Sequence, residues 1–390
     1  MPGSFKVAQL FGIEVRIHLT WFLALAVITW ALATGYFRFL VPRQQFLTAL
    51  ELAAVSALLL FVSVLVHELS HSVVARALGM RVRDITLFVF GGVSNIRGEA
   101  RTPRDEALVS AVGPLTSFVL AGLFWLIGQG FGPLPNLLSV ASPRFLSTFS
   151  PVAAVLGYLV VVNVALGAFN LIPAYPLDGG RVLRSGLWWL TGFDRATTIA
   201  ARLGQGFGLL MIAFGVWRVA VGDIGGLWTA VLGWFLTQAA GASLRERGLR
   251  SSLQRVIVGQ LMDPSPPTVD ARTPVSEAVE HMLRGRHPYV IVTEAGRLHG
   301  VLRPRDIKRL ARDAWPSTPV SQIAHTPPLV VTPQTDVSNV LDRLDDTTDM
   351  VPVILDDDVV GVLRPQEILR YAQLRRELRL ARRPAHAESP

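Results

Sequence analysis

The sequence predicts a polytopic α-helical membrane protein of about six transmembrane helices, followed by a soluble α/β unit built from a tandem repeat. Three observations carry this. Hydrophobic residues make up 51% of the 390 residues and charged residues only 17%, against about 25% charged in ordinary soluble domains. Apolar runs close to the ~20 residues that cross a bilayer recur up to Leu244. Beyond Leu244 the chain turns charged and Pro-punctuated, and a pattern of about 60 residues occurs twice.

The runs are Leu19 to Phe37, Leu52 to Leu78, Ala107 to Gly128, Pro151 to Ile172, Ile199 to Val221 and Gly225 to Ser243. The first carries no charge, and it lacks the basic start and small-residue cleavage site of a removable signal peptide. Basic residues mark alternate ends. Lys6 and Arg16 precede the first run; Arg81, Arg83, Arg97, Arg101 and Arg104 follow the second; Arg181, Arg184, Arg195 and Arg202 follow the fourth; Arg245, Arg247 and Arg250 follow the sixth. The opposite loops hold only Arg38, Arg43, Arg144 and Arg218. Positive charge stays on the cytoplasmic side, which predicts a multi-pass protein of the cell membrane with both termini and the soluble unit in the cytoplasm. The net charge of +8 is therefore read as topology. Nucleic acid is excluded as a partner, because the basic residues are not clustered with aromatics on one face. No cysteine is present, so disulfides, Cys-based zinc fingers and thiol nucleophiles are excluded too.

Any metal site must then come from His, Asp and Glu, and the second run ends in His67-Glu68-Leu69-Ser70-His71. Ionisable groups are costly in a membrane helix and mark function by default. Residues four apart share a helical face, so both imidazoles can converge on one ion with Glu68 beside them. Zinc accepts neutral imidazole and keeps a position for water, and the adjacent carboxylate can act as general base on that water. Two satisfied interface histidines are the alternative. A third ligand must be found, and no acidic residue stands between Glu106 and Asp178. Pro173 and Pro176 should break the fourth helix before it restarts at about Gly179. Asp178 is thus either a ligand beside broken backbone, which membranes tolerate only against protein or a wet cavity, or simply an N-cap. Asn163 and Asn170 lie seven apart on one face, available to a substrate or oxyanion or to interhelical bonding, the reading preferred for Asn163. His18, beside an interfacial Trp, reads as packing.

Together, His67-Glu68-x-x-His71, Asn170-x-x-Pro173 and Leu177-Asp178-Gly179 resemble the site-2 protease family of intramembrane zinc metalloproteases, in its branch with six spans and C-terminal CBS domains. The resemblance runs from "GIEVRIHLTW" to the repeat. It implies one Zn2+ per chain on His67, His71 and Asp178, Glu68 as general acid/base, and Asn170 near the substrate carbonyl. "LFVFGGVSNIRG", with Gly91 and Gly92, resembles the family's re-entrant β-hairpin, which takes substrate as an added strand. "AVGPLTSF", with Gly113 and Pro114, reads as close helix packing. The implied activity is regulated hydrolysis of peptide bonds in or near the spans of single-span membrane proteins such as anti-sigma factors. No PDZ-like insert is visible in the loops. Two rival readings stand beside it: a catalytically inactive relative that binds membrane proteins, and a CBS-gated channel or transporter.

The two copies run through "PYVIVTEAGRLHGVLRPRDIKRL" and "DMVPVILDDDVVGVLRPQEILRY", each after a short amphipathic helix, and they resemble a tandem pair of CBS domains. The expected boundaries are 1–244 for the protease domain, 245–257 for a linker, 258–314 and 315–374 for the CBS domains, and 375–390 for a basic, partly disordered tail. Such pairs pack as one disc and, in many relatives, bind adenine nucleotides and dimerise. Here Arg303 and Asp306, and Arg364 and Glu367, occupy the positions where relatives carry a hydroxyl and a ribose-binding Asp. Two readings stay open: a nucleotide on Asp306, or a packing and homodimerisation module without ligand. The histidines beyond Leu244 show no ligand spacing and read as surface residues. The tail could meet anionic lipid, with a solvated tail as the preferred reading.

Overall fold

A computed structural model describes residues 3–41, 45–97, 100–135, 149–253, 255–285, 287–341, 343–344 and 348–378. Arg43, Arg144, His386 and the expected tail beyond Leu378 lie outside these residues. The chain divides into two compact units, Met1–Leu244 and Arg245–Pro390.

The first unit opens with strands β1 (Ser4–Leu10) and β2 (Ile13–His18), joined at Phe11 and Gly12, whose φ values of 48° and 75° suit a tight hairpin. Phe5, Ala8 and Leu10 pair with Ile17, Val15 and Ile13, while Lys6 and Gln9 pair with Arg16 and Glu14. A register shift between Lys6 and Ala8 keeps these apolar and polar faces separate. Helices α1 (Thr20–Leu40) and α2 (Phe46–Ala77) follow, then β3 (Arg81–Phe88) and β4 (Gly91–Arg97). Here sequence and structure differ. The residues expected to form a re-entrant hairpin pair as the antiparallel strands β3 and β4, which complete a four-stranded sheet in the order β1-β2-β3-β4, with β2 and β3 parallel. β4 is an outer strand.

Helices α3 (Pro103–Gly128), α4 (Pro151–Asn170), α5 (Asp178–Thr191), α6 (Phe193–Ala220) and α7 (Gly225–Leu253) complete the unit, α7 running on past Leu244. Among the described residues, five helices are long and apolar enough to cross a membrane: α1, α2, α3, α4 and α6. The sixth expected span is the first part of α7, where Gly, Thr and Gln dilute the apolar run, and it is not among the five. Small residues bring helices together. A Cβ on Gly167 of α4 would stand 3.1 Å from the Pro114 carbonyl oxygen of α3, which is the close packing expected at Pro114. Asn163 is fully buried and donates to Ser63 Oγ of α2 at 3.2 Å, the interhelical bond preferred for it.

In the second unit, β5 (Thr268–Asp270), α8 (Val275–Gly285), β6 (Val290–Glu294), β7 (Arg297–Leu302) and α9 (Pro304–Ile307) form the first copy. α10 (Val337–Leu341), β8 (Val351–Leu355), β9 (Asp358–Leu363) and α11 (Pro365–Glu377) form the second. One sheet, β5-β6-β7-β9-β8, unites them. The segments that lead into the copies are exchanged. Asp263, ahead of the first copy, bridges Val362 of the second, and His325, ahead of the second, bridges Val301 of the first. Gly300 and Gly361 make room for this: a Cβ on Gly361 would lie 2.9 Å from the Asp263 carbonyl oxygen. Gly361→Val should therefore cost ~1–3 kcal/mol through overpacking and lower the calorimetric transition of this unit in the full chain, leaving the transition of the first unit in place.

Candidate metal centre

Helix α2 is an uninterrupted helix through the His-Glu-x-x-His motif, so His67 and His71 project from one face one turn apart. Their Nε2 atoms lie 3.2 Å from each other. Asp178 Oδ2 lies 3.3 Å from His67 Nε2 and 3.2 Å from His71 Nε2. The three side chains are buried, at 3%, 4% and 8% exposure, and Asp178 Oδ2 has no hydrogen-bond partner. An ion about 2 Å from each atom at tetrahedral angles requires edges of ~3.3 Å. The donor triangle has that edge, and its orphaned carboxylate oxygen is the kind of atom a cation satisfies.

The far side of each ring is also engaged. His71 Nδ1 lies 2.6 Å from the Val109 carbonyl oxygen and His67 Nδ1 lies 2.9 Å from Ser117 Oγ. A carbonyl only accepts, so Nδ1 of His71 carries the hydrogen and Nε2 turns its lone pair to the centre. Such outer partners fix ring orientation and ligand basicity. Both come from α3, four residues on either side of Gly113. A Cβ on Gly113 would overlap His71 Nε2 and come within 2.8 Å of His67 Nε2. The packing role expected for Gly113 is thus incomplete, because this glycine also leaves the space at the centre. Sequence reading missed Val109 and Ser117; the Val-x-x-x-Gly-x-x-x-Ser spacing on one helical face was the available signal.

Asp178 arrives from another direction. α4 stops at Asn170, residues 171–177 form turns through both prolines, and α5 begins at Asp178 itself. The N-cap is Leu177, with no side-chain cap bond, so the N-cap alternative for Asp178 is corrected, and the helix starts one residue before the expected Gly179. The turn backbone lies so close that a Cβ on Gly179 would meet the Leu171 and Ile172 carbonyls, one on Gly180 the Tyr175 backbone, and one on Gly204 of α6 the Tyr175 carbonyl.

Glu68 is half-buried, and its Oε2 accepts from Ser94 Oγ of β4 at 2.7 Å, with Ser72 Oγ donating to Ser94 at 3.2 Å. Gly92 lies against the same carboxylate: a Cβ there would stand 3.2 Å from Glu68 Cδ. Gly91, at φ 127°, has nothing within reach of a Cβ. Asn170 donates through Nδ2 to Leu166 O of its own helix at 3.0 Å. His18 is engaged through Nδ1 with Thr20 at 2.9 Å. In the second unit, Asp306 Oδ2 accepts from the Arg303 backbone N–H at 3.0 Å and lies 3.1 Å from His325 Nδ1. The expectation that His325 is simply a surface residue is corrected, because the exchanged segment brings it onto Asp306.

Ser117→Ala should weaken zinc retention about 10- to 100-fold, and Gly113→Ala should weaken it at least as much. Metal analysis of the purified proteins after chelator challenge checks both, with His67→Ala as the reference for full loss.

The model of peptidase family M50 matches residues 55–212, and the CBS domain model matches 258–313 and 320–374. The chain is 34% identical over 383 residues to "Putative zinc metalloprotease sll0528" of Synechocystis, covering 96% of both chains. It is 32% identical to "Putative zinc metalloprotease Rip3" of Mycobacterium tuberculosis, covering 96% of this chain and 94% of the relative. A solved structure titled "Site-2 Protease from Methanocaldococcus jannaschii" aligns at 28% identity with a TM-score of 0.43, over 61% of this chain and 94% of that one. With helices apolar enough for a multi-pass membrane protein, a buried His-His-Asp triangle, the two family-model matches, and relatives above 30% identity along nearly its whole length, the chain belongs to the site-2 protease family, peptidase family M50, in a form that carries a tandem CBS pair.

Proposed function

We propose that this chain is an intramembrane zinc endopeptidase that cuts single-span membrane proteins, of which anti-sigma factors are one class. The observation that supports this best is the buried triangle of His67, His71 and Asp178 next to a carboxylate, Glu68, that is held by a hydrogen bond from an outer strand. When bound, the zinc ion supplies Lewis-acid polarisation of water and of the scissile carbonyl. Everything else falls to the chain. Glu68 accepts a proton from the attacking water as the water oxygen bonds to the carbonyl carbon, and then passes that proton to the departing amine nitrogen as the C–N bond breaks.

The substrate must be extended at that point, because a helix ties its carbonyls into hydrogen bonds. β4 offers an unpaired edge beside Glu68, with Gly91 and Gly92 keeping side chains out of the way, so an added strand is the mode assigned to it. One amide N–H of Asn170 is committed to Leu166 O, and the second is the donor assigned to the substrate carbonyl. The arginine pattern assigns both termini and the CBS pair to the cytoplasm. Regulation and dimerisation are assigned to the CBS pair: a rise in its melting temperature with ATP marks a nucleotide sensor, and no change marks a packing module.

Purified wild type is expected to cleave members of a panel of tagged single-span proteins within the span. Glu68→Gln should lower the rate by roughly 10²–10⁴-fold while zinc content stays the same. Equal cleavage by both proteins would remove Glu68 from the reaction. A folded, zinc-loaded wild type that cuts no member would turn the reading toward an inactive, binding relative.

A further inference from the structure

One buried ion pair in the first unit plays no part in the reaction above. Glu106 of α3 is 1% exposed, and its Oε1 accepts from Arg184 Nε of α5 at 2.7 Å, with Arg184 Nη2 on the same oxygen. Glu106 Oε2 has no partner. The Arg184 guanidinium also lies 5.2 Å from the ring centroid of Tyr175 and 5.1 Å from that of Phe193. Tyr175 belongs to the turns that lead into Asp178, and Phe193 begins α6. A single side chain thus holds the chain before and after the helix that starts with the third ligand.

The other end of the pair is equally placed. Glu106 stands three residues before Val109 on α3 and so shares its face with the carbonyl that holds His71 and, further along, with Ser117. We propose that Glu106 and Arg184 form a positioning pair that sets Asp178 against the two imidazoles by locking its helix to α3. A buried pair is a poor way to gain stability, since apolar residues of similar volume often serve as well or better. A planar guanidinium on a carboxylate does provide direction, and the surrounding rings fix its plane. Metal ligands demand that kind of placement, and loss of outer partners typically costs 10- to 100-fold in affinity.

This inference rests on the metal reading of His67, His71 and Asp178, and its test separates the two. Zinc affinity of the full-length protein in detergent would be measured by competition with a chromophoric chelator, alongside the melting temperature of the metal-free protein. Glu106→Gln and Arg184→Lys should each weaken zinc binding about 10- to 100-fold. In an Asp178→Ala background the same changes should weaken it by less than about two-fold, because the pair acts through Asp178. Arg184→Lys keeps the buried charge and serves where Glu106→Gln lowers the yield of folded protein. Unchanged affinity in a folded variant overturns the proposal, as does an equal loss with and without Asp178. If His67→Ala and Asp178→Ala themselves leave affinity unchanged, the metal reading fails first.

Discussion

The first unit is organised around the cost of keeping charged and polar side chains away from water. Two imidazoles and a carboxylate in an apolar interior are tolerable only if every nitrogen and oxygen is either bonded or aimed at an ion. In this chain the two Nδ1 atoms are taken by α3, through Val109 O and Ser117 Oγ. Both Nε2 atoms and Asp178 Oδ2 face one another at 3.2 to 3.3 Å. α3 is therefore the surface against which the ligands are set, and this explains its unusual composition. It carries a glycine where any side chain would fill the centre and a serine where a ring nitrogen needs a partner.

The same constraint shapes the broken backbone before Asp178. Turns inside a helical unit leave peptide groups that helices would otherwise satisfy, so the segment must lie against other protein. Gly179, Gly180 and Gly204 let two helices approach the turns to distances no Cβ permits. The double glycine after Asp178 is thus a packing requirement of the segment that delivers the ligand, and it lies outside the ligand set itself.

How much of this was legible in the sequence depends on whether the information was local. The His-Glu-x-x-His motif places two ligands through helix geometry alone, and Asp178 stood out because few acids occur in the apolar half. The helices of the first unit were legible by length and apolarity, and the repeat by its copied Gly-Val-Leu-Arg-Pro. The Val109 carbonyl carries no residue-type signature of its own, so only its spacing from Gly113 and Ser117 along one helical face pointed to the holder of His71. The β1–β2 hairpin escaped because its bulge between Lys6 and Ala8 interrupts strict alternation. The exchange between the repeats, and with it the contact of His325 and Asp306, joins residues from different copies, which periodicity within one copy does not reveal. The sixth expected span is the least marked of the set, because its apolar residues are diluted along a helix that continues past Leu244.

One arrangement connects these levels. Ser94 is a β4 residue, and its hydroxyl donates to Glu68 while accepting from Ser72 of α2. The strand that offers an open edge is therefore bonded to the helix that carries the base. Gly92, two residues earlier on the same strand, lies against Glu68 as well, so β4 cannot shift along its length without moving the carboxylate's partner. On the proposed reading, a substrate strand that pairs with β4 inherits that register, and the backbone ladder itself decides which peptide bond is presented to the base. Selection of the bond would then rest on main-chain hydrogen bonds, and selection of the protein on how readily its helix unwinds to make them.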